Sequence, residues 1–210
     1  MLRVHPRPLV FATAFSVAIA AAGCGSHVIG RAQGGPAVVA ANDTPYGGAE
    51  GNAEILVDLV PTGQAEEALQ PETATRVGVA GGAYVRGTGL GFGTGGRAGA
   101  FAGATNADTM LIGSVQAAGG MSTYSGTAYG AVGGVGAFTF GVRVGRAYDA
   151  DAALCRSLTY LTFSAQGAVD HLPGADLTVP GAALLIGVAG LDDPGAPSDR
   201  ASRPDARCPR

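Results

Sequence analysis

The sequence predicts an all-β domain: an antiparallel meander of about eight strands forming a barrel or sandwich, with one short helix near 62–70. Three observations predict it. Val135 to Tyr148 alternates strictly, with Phe138, Phe140, Val142 and Val144 on one face and Ala137, Thr139, Gly141, Arg143 and Gly145 on the other. That is the period of a strand, carried by aromatic and β-branched residues. Short apolar runs follow one another too closely for crossover helices, which argues against a parallel α/β sheet. Glycine supplies 36 of 210 residues while Leu, Val, Ile and Phe stay frequent. Such a chain describes strands in close contact, not a disordered Gly/Ser tract.

Taken in order, the chain opens with Arg3 and Arg7 and then runs apolar from Leu9 to Ala22. The run is shorter than the ~20 residues a membrane-spanning helix needs, and reads as a secretory leader. Ala21-Ala22-Gly23 precede Cys24. This stretch resembles the lipobox of bacterial lipoproteins, with Ala21 where that motif usually carries Leu. The resemblance covers residues 1–24 only. It implies a signal peptide over 1–23, cleavage before Cys24, a diacylglyceryl group on the Cys24 sulfur and an acylated new amino terminus. Cysteine suits that role because its thiolate is a strong nucleophile. Several acyl chains hold a protein stably where one holds it marginally. Gly25, rather than Asp, follows the cysteine; the resemblance then implies the outer membrane. The membrane, reached through the N-terminal lipid, is the partner expected, beside a protein or small ligand that the sequence does not identify.

With Cys24 assigned to lipid, Cys155 and Cys208 remain as an even pair in an oxidising compartment. A disulfide between them would close a loop of about fifty residues, worth about 4 kcal/mol in the chain-entropy model. Two free thiols, or bridges between chains, are the alternatives.

Residues 24–52 are rich in Gly and Pro without a sustained period, and read as a flexible tether. The domain is then 53–191. Ala53 to Val60 is its first apolar run, and Pro61 ends it. Thr62 to Gln70 has an N-cap candidate, Glu66 and Glu67 near its start and Pro71 at its stop. From Thr75 to Thr88, Val77, Val79, Ala83 and Val85 share one parity, while Arg76 and Arg86 take the other. Glycines alternate through Gly89–Gly95, as strong curvature or close backbone approach requires. Further runs are 109–118, ended by Gly119-Gly120, and 121–132, ended by Gly133-Gly134. Then come 135–148, 157–169 and 177–191. Residues 192–210, with four prolines and mixed charge, form a tail.

Composition and motifs exclude several functions. All 13 basic residues are Arg, and the formal net charge of −3 falls to about −5 once the leader is removed. No basic stripe draws the chain to nucleic acid. Without Lys there is no P-loop. A GxGxxG match at 91–96 lacks both the helix and the downstream acid of a dinucleotide site. Gly126, Gly130 and Gly134 have the spacing of a glycine zipper, but the Thr and Tyr between them favour strand. Asp149, Asp151, Asp170, His171 and Asp176 could group around a metal, yet serve equally as turn residues at strand ends. No nucleophile elbow is present. The expectation is therefore a non-enzymatic, lipid-anchored envelope protein with no metal or cofactor, its β domain binding a partner or supporting structure. One alternative is an integral outer-membrane β-barrel, for which strand 135–145 has the right alternation. Another is a periplasmic carrier whose Arg76, Arg86 or Arg143 meets an anionic ligand.

Overall fold

A computed structural model describes residues 28–59, 74–106, 108–149 and 154–192. They form eight strands: β1 (Val28–Ala41), β2 (Thr44–Asp58), β3 (Ala74–Thr88), β4 (Gly91–Thr105), β5 (Thr109–Tyr124), β6 (Thr127–Asp149), β7 (Leu154–Leu172) and β8 (Leu177–Asp192). Each pairs antiparallel with the next, and β8 pairs back onto β1, so the meander closes into a barrel rather than a sandwich. Closure gives every strand two neighbours and abolishes the sheet edge. The β1–β8 seam skips Gly35 and Pro36, where proline has no N–H for the ladder.

The two ends of the barrel differ. At the hairpin end, Asn42-Asp43, Gly89-Leu90 and Ser125-Gly126 make two-residue turns, and a 3-10 turn at Pro173–Ala175 leads into Asp176. Asn42, Asp43, Ser125 and Gly126 all have positive φ; consecutive residues of that kind match the right-handed strand twist and suit Asn, Asp and Gly. At the opposite, terminal end lie Val28, Asp192 and the remaining connections.

Strands begin earlier than the sequence pattern implied. Residues 28–52, read as a tether, are β1 and most of β2. The glycine pairs read as turns, Gly119-Gly120 and Gly133-Gly134, lie inside β5 and β6: the first stands opposite Gly96 and Gly95 of β4, the second opposite Ala118 and Ala117 of β5. In this chain paired glycines thin the wall instead of turning it. The expected signal peptide and Cys24, the helix near 62–70, Cys208 and the tail from 193 lie outside the described residues. Cys155 falls within β7, and its side chain is likewise outside them.

The expected close backbone approach is found at Gly95, and it extends well beyond the 89–95 run. On β4, Gly95, Gly99 and Gly103 face the lumen, and on each a Cβ would collide with a backbone carbonyl of β5. Their partners across the ladder on β3 are Tyr84, Ala80 and Arg76. Gly78 and Gly82 of β3 in turn stand beside Phe101 and Arg97 of β4. Large and absent side chains thus alternate across the ladder, which is how a narrow barrel seats bulky residues inside.

Candidate functional site

The strand alternation sorts polarity in the reverse of a soluble barrel. Facing inward and buried are Arg31 and Gln33 on β1; Glu50, Asn52, Glu54 and Asp58 on β2; Arg76 and Arg86 on β3; and Arg97 on β4. Gln116, Thr139, Ser164, Gln166 and Asp170 join them from β5, β6 and β7. Facing outward are Val38, Ile55, Val85, Phe92, Leu111, Val115, Met121, Val132, Phe138, Phe140, Phe163, Leu184, Ile186 and Val188, each at least two-fifths exposed. Between them stand mainly Gly, Ala, Pro and Thr, with His171 near the hairpin end of β7. Among the described strand side chains, no charged residue points outward.

The lumen is layered. Near the hairpin end, Val39, Ala41, Leu172, Leu177 and Val179 pack together with Tyr46, Leu90, Tyr124 and Tyr129 against them. Next comes an ionic layer built on Glu50. One of its carboxylate oxygens accepts from Arg86 Nε at 2.6 Å, and the other accepts from Arg97 Nη2. Arg86 Nη1 crosses the barrel to donate to Asp170 Oδ2 at 2.8 Å. Arg97 also donates to Gln166 Oε1 at 3.1 Å and lies 4.4 Å from the Tyr84 ring centroid. Deeper, Arg31 donates to Glu54 at 2.6 Å and to Thr139 Oγ1 at 2.7 Å. Gln33, Thr162 and Ser164 extend this network across to β7. Below it lies a second apolar layer, in which Ile29, Leu56, Phe101, Met110, Ile112, Leu158 and Tyr160 are buried. Arg76 closes the terminal end on Asp58 and Thr105, both at 3.0 Å.

The charges pair among themselves, while Arg76 Nη2, Arg97 Nε, both amide atoms of Asn52 and the Nε2 atoms of Gln116 and Gln166 are buried without a hydrogen-bond partner among the described residues. Four buried arginines (31, 76, 86, 97) meet four buried carboxylates (Glu50, Glu54, Asp58, Asp170). Buried charges are tolerated when paired and hydrogen-bonded in this way. Beside Arg86 and Asp170 is a cavity of about 20 Å³, room for about one water. An ionic middle between two apolar layers is a plug of side chains, not a conduit.

The residues singled out from the sequence can now be placed. Arg76 and Arg86 do point inward, as their parity required, but each is held by carboxylates instead of being offered to a ligand. Arg143, also inward, pairs at the terminal rim with Asp108 at 2.8 Å and is more exposed than the other two. The candidate metal group does not assemble among the described residues. Asp170 belongs to Arg86; the His171 Nδ1 lies 3.3 Å from Thr178 Oγ1; and Asp176 occupies a left-handed turn position. The 91–96 glycine match lies along β4, with no helix to receive a phosphate. Gly130 and Gly134 are outward positions of β6, so the four-residue spacing there is strand spacing. Sequence reasoning missed the inner faces of β1 and β2, which supply Arg31, Gln33, Glu50, Asn52 and Glu54. Two signals were present: the Asn42-Asp43 dipeptide, and the alternation of polar residues with Ala and Gly from Glu50 to Ile55.

No family model and no curated protein matches this chain. Among solved structures, it is similar to Ail, the attachment invasion locus protein of Yersinia pestis. The identity is 14%, the coverage 79% of this chain and 98% of that one, and the TM-score 0.34. That likeness is too distant to carry residues or an activity across.

Proposed function

We propose that this chain is an integral β-barrel of a bacterial outer membrane, non-enzymatic and closed to conduction, with a lipid on Cys24 as a second anchor. The observation that carries the reading is the inverted barrel: charges paired inside, an unbroken apolar surface outside. In water such a surface would be a large liability, since soluble monomers rarely expose extended apolar patches. In a bilayer it is the required lipid face, and backbone closure meets the rule that every polar group be satisfied internally. Strands of 14 to 23 residues exceed the ~10 that cross a bilayer when tilted. Of the three readings open from the sequence, this one accounts for the outer wall. A lipid-tethered soluble domain leaves that wall unexplained, and a carrier would need more open space than the small cavity beside Arg86 and Asp170 offers.

Spin labels placed one at a time along β5 test it, in full-length protein folded into liposomes. Labels at 111, 113, 115 and 117 should contact lipid-dissolved oxygen and be shielded from an aqueous nickel chelate. Ready access of the chelate to all four would overturn the reading. Planar-bilayer recordings of the same protein should be silent; steady conductance would remove the closed-lumen part alone.

A further inference from the structure

The outer wall is not uniform, and one of its thin parts lies along β1. Across β8, β1, β2 and β3 the outward residues in register are Gly190, Gly30, Ile55 and Gly81, then Val188, Ala32, Ala53 and Ala83. Here the wall is hollowed into a groove of about 530 Å³ with almost wholly apolar lining. Its floor continues along β1 and β2 through Gly34 and Gly51. Its banks are Ile186 and Val188 on β8 and Val79 and Val85 on β3, all exposed. β5 to β8 carry bulkier outward residues, Leu111, Val115, Phe138, Phe140, Phe163 and Leu184, while β4 is also thin, with Gly96, Ala98, Ala100, Ala102 and Ala104 facing out.

We propose that this groove seats an acyl chain of the lipid on Cys24. The proposal rests on the lipidation reading above. Three features select this occupant. First, reach: Cys24 stands four residues before Val28, so even a fully extended link spans only ~14 Å. Its acyl chains must therefore enter the bilayer beside β1, and the wall beside β1 is the groove. Second, shape: the hollow crosses four strands in two rows of mostly small residues, and Gly34 and Gly51 extend the low floor along β1 and β2, which admits a flexible hydrocarbon. Third, chemistry: the lining offers a chain no charged side chain facing out, only Gly, Ala, Ile and Val. In a bilayer, association gains from close van der Waals contact rather than from water exclusion, and a floor without side chains allows that contact. The N-terminal lipid is then part of the barrel's outer packing, not a leash on a separate domain.

The test uses full-length protein made in cells fed a diazirine-bearing palmitate analogue, irradiated in native membranes and mapped by peptide mass spectrometry. Acyl mass on the Cys24 peptide is read first; its absence overturns lipidation and this proposal together, while the label-accessibility result for the barrel stands independently. With lipid present, intramolecular cross-links should cluster at 30–34, 51–55, 81–85 and 186–190. Ala32→Leu with Ala53→Leu fills the trough from the lipid side and should abolish that cluster, while Gly136→Leu on β6 should leave it intact. Cross-links spread around the whole circumference, or mainly to a second copy or another protein, would overturn the proposal even with Cys24 acylated.

Discussion

The inner and outer faces of the same eight strands differ more than most pairs of domains do. Inside, four arginines and four carboxylates are matched within hydrogen-bonding distance and capped by apolar layers. Outside, the described strand residues present hydrocarbon, glycine and threonine, with His171 beside Thr178 the one ionisable side chain among them. Strand alternation makes this possible, because neighbouring residues project to opposite sides. The contrast teaches that the burial rule is a statement about solvent. Where lipid replaces water, the polar side of an amphipathic strand becomes the core side. Inner-face substitutions should then act through lost partners, and outer-face ones through solvation.

The largest effect should come from the centre of the ionic layer. Glu50→Ala leaves both Arg86 and Arg97 short of a carboxylate, and removing one partner of a buried pair costs about 3–5 kcal/mol. Urea unfolding of the liposome-embedded barrel would measure it; a loss below about 1 kcal/mol would mean that water already bathes the lumen. Next is a charge on the outer wall. Val115→Arg, at a position 74% exposed, should cost about 2–4 kcal/mol if β5 crosses near the bilayer midplane. The same change would be nearly neutral on a barrel facing water, so this variant separates the two solvents directly.

A smaller effect is expected where the wall itself is tight. Gly99→Ala puts a methyl group against Val115 carbonyl and Gln116 Cα, an overpacking worth about 1–3 kcal/mol. Gly136→Ala, with nothing within 4 Å of the new Cβ, should stay within about 0.5 kcal/mol. Equal effects from the two would mean that inner and outer glycines are not distinguished by packing. A small change is also expected at the rim. Arg143 and Asp108 are partly and largely exposed, so Arg143→Gln should cost at most about 1 kcal/mol. That difference should shrink further at high salt.

Much of the wall was legible in the sequence. The strands containing 75–88 and 135–148 announce themselves because most bulky residues keep one parity, whereas those containing 157–169 and 177–191 are bulky on both faces and read as apolar runs. The middle of the amino-terminal hairpin does not: its outward positions there are Gly30, Ala32, Gly34, Ala49 and Gly51, too small to mark a face, while inward Arg31, Gln33, Glu50, Asn52 and Glu54 are charged or amide. Hydrophobic periodicity assumes that the apolar side is both bulky and buried, and neither holds there. Glycine pairs misled for a related reason, since a tight barrel needs absent side chains inside strands as well as at turns. The ionic plug was not legible at all. Arg86 finds Glu50 and Asp170 at separations of 36 and 84 residues, and only the closed register brings them together. Parity put Arg76 and Arg86 on the correct side, but no local pattern encodes their partners.

The most direct test of the central claim removes the lipid and asks what still holds the protein. Full-length mature chain carrying Cys24→Ser, exported by an ordinary secretory leader, should stay in the outer-membrane pellet through alkaline carbonate and urea washes. Retention without acylation is the result expected of strands that cross the bilayer. Release of a folded, unlipidated protein into the wash would contradict the account and return the barrel to the periplasm as a tethered domain.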